Sequence, residues 1–547
     1  MNLATFLDHW KILENPFKGE EARQDPVFLR LEAATQAGVS GNAPAAPILN
    51  HPAHLSTSHS EFEKISGDFA KPTSAIVFGE KGSGKTAIRL QLADRVAIHN
   101  KANPTARCLW IGYDDLNPVL GRFVDRGGGV RPDKKTTVTD ILNKFRLADH
   151  IDGILTVAVP PLVDAMLKER SDPSAPASVV YDLSEEPKKI VKRMDRATRR
   201  DLLVLQAVYD RPDLSSGAED RTRRLRRLLR QSLRPSFFIW TLLAMLGWIG
   251  PAYATYWAWK NDKLQLDPQN RMLWVIAAAL AAYLLVIIKR SGYDRLKFIA
   301  LGHRVRKQVR VSLRSDASYG RSIRQLPVNL ADSAALPMGA GGGANADDTR
   351  YAMLERFRRV ARQLGYSGLV VVLDRIDEPT LIAGDPDRMR AVVWPLLSNK
   401  FLQQPGLGVK MLLPMELRHA LFRESSQFFE QARLDKQNMV ERLSWTGVML
   451  YDICNARLQA CRAPEAPAIG LIDLFAEDVT RQDLVDALDQ MHQPRDAFKM
   501  LYQCLTDHCA AVTGDQPQWR VPRLILDQAK KQQVERVRQL AKGVRPA

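Results

Sequence analysis

Apolar runs that break abruptly into glycines or acids punctuate this chain. Ser74 to Phe78 is apolar and β-branched, then gives way to GEKGSGKT and a stretch with Ile88, Leu90, Leu92, Val96 and Ile98 on one side. That pattern predicts strand, loop and amphipathic helix. RCLWIGYDDL, 107–116, predicts a second strand, and 117–210 a mostly helical region in which LADHIDGILTVAVPPLVDAML is apolar enough for a core. Further on, YAMLERFRRVARQLGYS predicts a helix and GLVVVLDRIDEP a fully buried strand ending in acids. GVKMLLPMELRHALF predicts another buried strand running into a helix, placed beside the Ser74–Phe78 strand. From about 430 onward nearly every segment predicts helix. Buried strands alternating with helices make the expected fold class α/β, a parallel sheet followed by a helical C-terminal lid.

Two segments break this pattern. Phe237 to Trp259 and Met272 to Ile288 carry no charged residue and are joined by a short polar loop. As helices they would cover about 35 Å and about 25 Å, against a bilayer hydrocarbon core of about 30 Å. Trp257, Trp259 and Trp274 fall at the loop-side ends, where interfacial aromatics belong, and Arg271 and Lys289 can snorkel. The expectation is an inserted two-helix transmembrane hairpin, 236–259 and 272–289. The alternative is a buried helical hairpin in a soluble core. Both outer flanks are strongly basic, so the positive-inside rule puts both in the cytoplasm, as in a two-pass protein of a bacterial inner membrane.

Composition adjusts this picture only locally. A charged fraction of 25% and a hydrophobic fraction of 45% are ordinary globular usage, so any membrane part is confined. A net charge of +17 calls for nucleic acid, anionic lipid or an acidic protein. Much of it lies in the arginine run Arg221 to Arg234, which abuts the first apolar segment and so favours anionic lipid over nucleic acid. The five cysteines are too few and too irregular for a disulfide framework or a zinc ribbon, and Cys504, His508 and Cys509 lack a fourth ligand. The N-terminal segment has no basic region followed by an apolar core, which is not the pattern of a signal peptide. The expected organisation is a leader (1–70), the first part of the core with a helical insertion (71–220), basic flanks and hairpin (221–310), a flexible linker (311–348), the second part of the core (349–430) and a helical lid (431–547).

The chemistry concentrates in two places. Gly79, Glu80, Lys81, Gly82, Ser83, Gly84, Lys85 and Thr86 match G-x-x-x-x-G-K-[ST] in full, between an apolar strand and a helix, and together with Ala87 they are the expected nucleotide-binding residues. Such a loop curls backbone amides around phosphate oxygens, with Lys85 reaching the β- and γ-phosphates and Thr86 on Mg²⁺. Asp374, after four apolar residues and Leu373, is the expected second carboxylate of the Mg²⁺ shell. Asp377 and Glu378 are candidates to polarise the attacking water, Asp377 equally for capping the next element. Glu416 or Arg418 could reach the γ-phosphate, or Arg418 could be a solvated surface residue. Arg495, beside Pro494 at a helix start, could point back at the nucleotide. Trp445 is expected in the core, within a periodic helix.

A phosphate loop, a long insertion with an apolar hairpin, an acidic strand and a helical C-terminal region together resemble the KAP-type P-loop NTPases of the AAA+/STAND-like group. The resemblance covers roughly 60–515 and is specific at Gly79–Thr86, at LVVVLDRID and in the hairpin. The family signature Asp-Asp-Leu-Asp-Arg meets Asp374-Arg375-Ile376-Asp377-Glu378 here, agreeing at the first and fourth positions. Arg495 is similar to the sensor arginine of a AAA+ lid. The resemblance implies a membrane-associated, Mg²⁺-dependent ATPase that organises a signalling or phage-excluding complex, as a homo-oligomer or with a protein partner. A STAND-like switch with little turnover and a nucleic-acid-processing ATPase are the alternatives.

Overall fold

Five runs of buried residues form the strands β1 (Ala75–Gly79), β2 (Arg107–Gly112), β3 (Tyr366–Leu373), β4 (Leu407–Pro414) and β5 (Asn438–Val440). Every residue of β1 and β4 is buried, as expected of parallel strands covered on both faces. They make one parallel sheet in the order β2-β3-β4-β1-β5. Gly79 of β1 is level with Pro414 of β4, and Leu373 of β3 with Met411. With β4 between β1 and β3, three adjacent strand ends present the glycine loop, the start of helix Met415–Leu421 and Asp374 along one edge. Ligands of open parallel sheets bind beyond that edge. β5 is a short strand inside the region expected to be helical.

The computed structural model describes residues 1–18, 21–32, 58–129, 136–169, 178–183, 185–211, 217–231, 235–261, 271–312, 314–326, 336–337, 344–513 and 516–541. The chain divides into two compact units, Met1–Asp115 with Ser367–Ala547, and Leu116–Tyr366. The first unit holds the sheet and the C-terminal helices. The leader is integral to it: Phe6, Leu7, Ile12, Phe17 and Val27 are buried in the same core as Leu450, Leu484 and Leu501. Cys504, His508 and Cys509 are buried there too. His508 Nε2 lies 2.9 Å from the Gln518 carbonyl, and no group of metal-ligating side chains occurs among the described residues.

Among its described residues the regular elements of the second unit are helices, up to Tyr366, where β3 begins. Helix Leu147–Leu167 is the described helix long and apolar enough to cross a membrane, and two thirds of its apolar window (67%) is buried. It is the core helix its composition suggested. Around it runs a buried ionic network. Asp152 accepts from Arg350 at 3.1 Å and from the Tyr209 hydroxyl at 2.7 Å. Arg221 pairs with Asp164, Asp210 and Glu169.

Two expectations change here. The arginine run is not a free basic face: in helix Gly217–Leu228, Arg221 and Arg226 are buried while Arg224 and Arg227 are exposed. Arg221 is fixed by carboxylates of its own unit, and Arg234 lies outside the described residues. The first apolar segment is two helices, Pro235–Leu246 and Ile249–Lys260, broken at Gly247 and Trp248. Pro251 explains the break, since it cannot donate to the Gly247 carbonyl and its ring crowds that position. The second is helix Arg271–Ile287, followed by a π-helical turn Ile288–Tyr293. Tyr283 donates to the Ala244 carbonyl at 3.2 Å, pinning the two segments together. A two-helix spanning hairpin is thus not what these elements amount to individually. The polar loop between them, 262–270, lies outside the described residues. Of the expected linker 311–348, Asp316–Arg324 is a helix with Tyr319 and Ile323 buried, and 327–335 and 338–343 lie outside the described residues.

Candidate functional site

The glycine loop closes where β1 ends. Gly82 and Gly84 sit at φ +101° and +95°, backbone conformations that only glycine adopts freely. Helix Lys85–Ala102 starts at Gly84 and turns its N-terminal amides toward the loop, an arrangement that favours anions. Lys85 Nζ donates to the carbonyls of Gly79 (2.6 Å) and Glu80 (2.9 Å), so its ammonium is held inside the loop. Burial pulls the Lys85 pKa down against the attraction of Asp374 and Asp377.

The Thr86 hydroxyl donates to Asp374 Oδ2 at 3.3 Å, across 288 residues of sequence. Asp374 is almost fully buried, and its Oδ1 accepts from the Arg375 amide at 2.9 Å. Burial raises its pKa in spite of Arg89 and Lys85 nearby. Burial of a carboxylate that its neighbours compensate only in part suits a site for a divalent cation, which would supply further positive charge. Thr86 and Asp374 are the residues that would hold Mg²⁺.

A cavity of about 580 Å³ opens over these groups, within the range of small-ligand sites. Lys81, Gly82, Gly84, Lys85, Thr86 and Ala87 line it, together with Asp374, Asp377, Glu378, Glu416 and Arg495. Gly79, Glu80 and Ser83 complete the loop behind that wall. Glu80 is tied to Arg442 at 2.9 Å and to Gln493. Arg495, in the first turn of helix Pro494–Ala511, packs against Gly82, whose position would bring a Cβ within 3.1 Å of it.

Arg418 is not brought to the cavity. It pairs with Glu441 at 2.7 Å and lies over the Phe422 ring, because helix Met415–Leu421 turns position 418 away from the face that carries Glu416. Asp377 caps no helix: the following helix, Pro386–Val393, is capped by Asp385. Glu378 is held at 3.2 Å by Arg375, which adopts φ +58° and also pairs with Glu21. Trp445 is buried as expected but stands in the segment before helix Gly447–Ala460. Its indole donates to the Ser83 carbonyl at 2.9 Å, bolting the loop to the C-terminal region.

Several lining residues escaped sequence reasoning: Glu21, Asp25 and Phe28 of the leader, His59, and Arg457 and Phe498 of the C-terminal helices. Asp25-Pro26 reads as a helix start and in that sense was visible. Phe498 lies one turn after Arg495 on the same helix and could have been found from it, whereas nothing local ties Glu21, Phe28, His59 or Arg457 to the site.

No family model, curated protein or solved structure matches this chain.

Proposed function

We propose that the chain is a P-loop ATPase that binds Mg-ATP in this cavity and hydrolyses its γ-phosphate. The observation that carries the reading is the Thr86 hydroxyl set 3.3 Å from Asp374, beside Lys85 and a loop of helix-starting amides. Phosphoryl transfer needs a phosphate cradle, a charge on the γ-phosphate and two oxygen ligands for the metal, and little covalent chemistry. Lys85 would neutralise developing charge, and Arg495 supports the same role from the C-terminal helices. Asp377 and Glu416 are the acids left to orient water, since Glu378 is engaged by Arg375. That engagement, and the tie between Arg375 and Glu21, favour as a second reading a nucleotide switch with slow turnover.

The cellular setting is the finer part of the proposal. Exposed Trp248, Trp257, Trp259, Trp274 and Leu285, with their apolar neighbours, support membrane attachment through 235–288 with both flanks in the cytoplasm. The KAP-type resemblance adds a signalling or defence complex as the expected output, with a homo-oligomer or protein as partner. Exposed Arg227 and Arg230 fit anionic lipid, and nucleic acid is the less favoured partner.

Steady-state hydrolysis of Mg-ATP by the full-length chain, with Lys85→Ala and Asp374→Asn controls, tests the core reading. Absence of both binding and turnover in the parent chain would sink it, whereas binding without turnover selects the switch. Extraction by alkaline carbonate without detergent would refute the membrane attachment.

A further inference from the structure

The cavity extends past the phosphate loop into a wall that phosphate chemistry does not need, formed by Asp25, Phe28, His59, Ile453, Arg457 and Phe498. Most polar groups there are already committed. Asp25 Oδ1 accepts from the amides of Val27 (3.0 Å) and Phe28 (3.4 Å), and Oδ2 pairs with Arg457 Nη1 at 2.6 Å. His59 uses both ring nitrogens, at 2.9 Å from the Ser444 carbonyl and 3.0 Å from the Glu61 amide.

Arg457 differs. It is 2% exposed, donates from Nε to the Pro16 carbonyl at 2.7 Å, and lies over the Phe498 ring at 4.5 Å. Its Nη2 is buried and finds no acceptor among the described residues. A buried guanidinium edge with hydrogens left to donate is costly, and native structures leave such edges open mainly where a ligand or water completes them. The group sits in an aromatic wall beside a phosphate-binding loop. A flat heterocycle that offers ring-nitrogen acceptors fits that surrounding.

We propose that Arg457 is the base-reading residue of this site, donating from Nη2 to a ring nitrogen (N1, N3 or N7) of the adenine of bound ATP, with Phe28 and Phe498 contributing apolar wall. The proposal rests on the nucleotide reading above and specifies its base-recognition half. Asp25 and the Pro16 carbonyl hold the guanidinium in register, so Pro16, Asp25 and Phe28 of the leader become part of the specificity pocket.

The test compares ATP, its 1-deaza, 3-deaza and 7-deaza analogues and inorganic tripolyphosphate on the full-length chain in detergent. Each analogue removes one acceptor. A charge-assisted bond of this kind corresponds to about a tenfold or greater change in Kd. One analogue is expected to bind about tenfold more weakly than ATP while the others match it. The double variant Asp25→Asn with Arg457→Gln, which leaves no lone buried charge, is expected to bind ATP as weakly as that analogue and tripolyphosphate as the parent does. Equal binding of all three analogues and ATP overturns the proposal without any mutation. Equal loss of ATP and tripolyphosphate in the double variant gives Arg457 a structural role only and overturns it too. If the parent chain binds neither ATP nor tripolyphosphate, the nucleotide reading falls, and this inference with it.

Discussion

Lys410 occupies the middle of β4, level with Ala75 of β1 and Val372 of β3, and is fully buried. It therefore sits in the strand that spaces the glycine loop from Asp374. Its Nζ donates to the carbonyls of Ile65 (2.6 Å) and Ser66 (3.0 Å) at the end of helix Phe62–Ser66, with no carboxylate as partner among the described residues. Burial pulls its pKa from 10.5 down to about 8. That gap corresponds to about 3 kcal/mol of differential stability. The sign follows from proton binding. Between pH 8 and 10.5 the unfolded chain holds the proton and the folded chain does not, so stability from this group rises with pH over that window. It is fully present above 10.5 and is lost as pH falls through 8. Buried thiols oppose the trend, Cys108 among them, pushed up to about 12. The comparison must therefore be made against Lys410→Met, which keeps the thiols and removes the amine. Urea unfolding of both chains, following the sheet unit, should show the parent gaining about 3 kcal/mol relative to Lys410→Met between pH 8 and 10.5. A difference that stays flat across that window would refute the assignment of a desolvated lysine whose charged form is disfavoured inside the sheet.

Other outcomes follow from the site. Lys85→Ala should weaken Mg-ATP binding roughly a hundredfold by calorimetry and cost about 1 kcal/mol of ligand-free stability, since the Gly79 and Glu80 carbonyls lose the ammonium that donates to both. Asp374→Asn should raise the ligand-free melting temperature at pH 8, because burial has raised this carboxyl's pKa and its charge costs stability once pH exceeds that value. The same variant should lose the extra stabilisation that Mg²⁺ gives with ATP. Trp445→Phe removes the indole bond to the Ser83 carbonyl. It should cost about 1 kcal/mol of stability by urea unfolding and weaken ATP by several-fold, whereas Arg418→Ala should leave nucleotide affinity unchanged by the same calorimetry.

The sequence by itself determined what short-range chemistry dictates. GEKGSGKT after an apolar strand requires a tight loop and a helix start, because Gly82 and Gly84 must take positive φ and Lys85 must follow them. LVVVLD, apolar on both faces, requires a buried strand that delivers Asp374 to its end, and the β4 segment was legible as a buried strand for the same reason, beside β1. Pro494-Arg495 announced its helix. Short-range patterning left three other matters open. An apolar run does not reveal where a proline will break it, and so Phe237–Trp259 became two helices. Charge on a helix does not reveal which side packs, and so Arg221 sits among Asp164, Asp210 and Glu169 while Arg224 and Arg227 face outward. The walls of the cavity were decided by tertiary structure alone. Strand order places Glu416 between the loop and Asp374, while long-range packing brings Phe28, Trp445, Arg457 and Phe498 to one surface. No local propensity encodes those meetings, because their energy comes from burying distant residues together and from satisfying buried donors across the whole length of the unit.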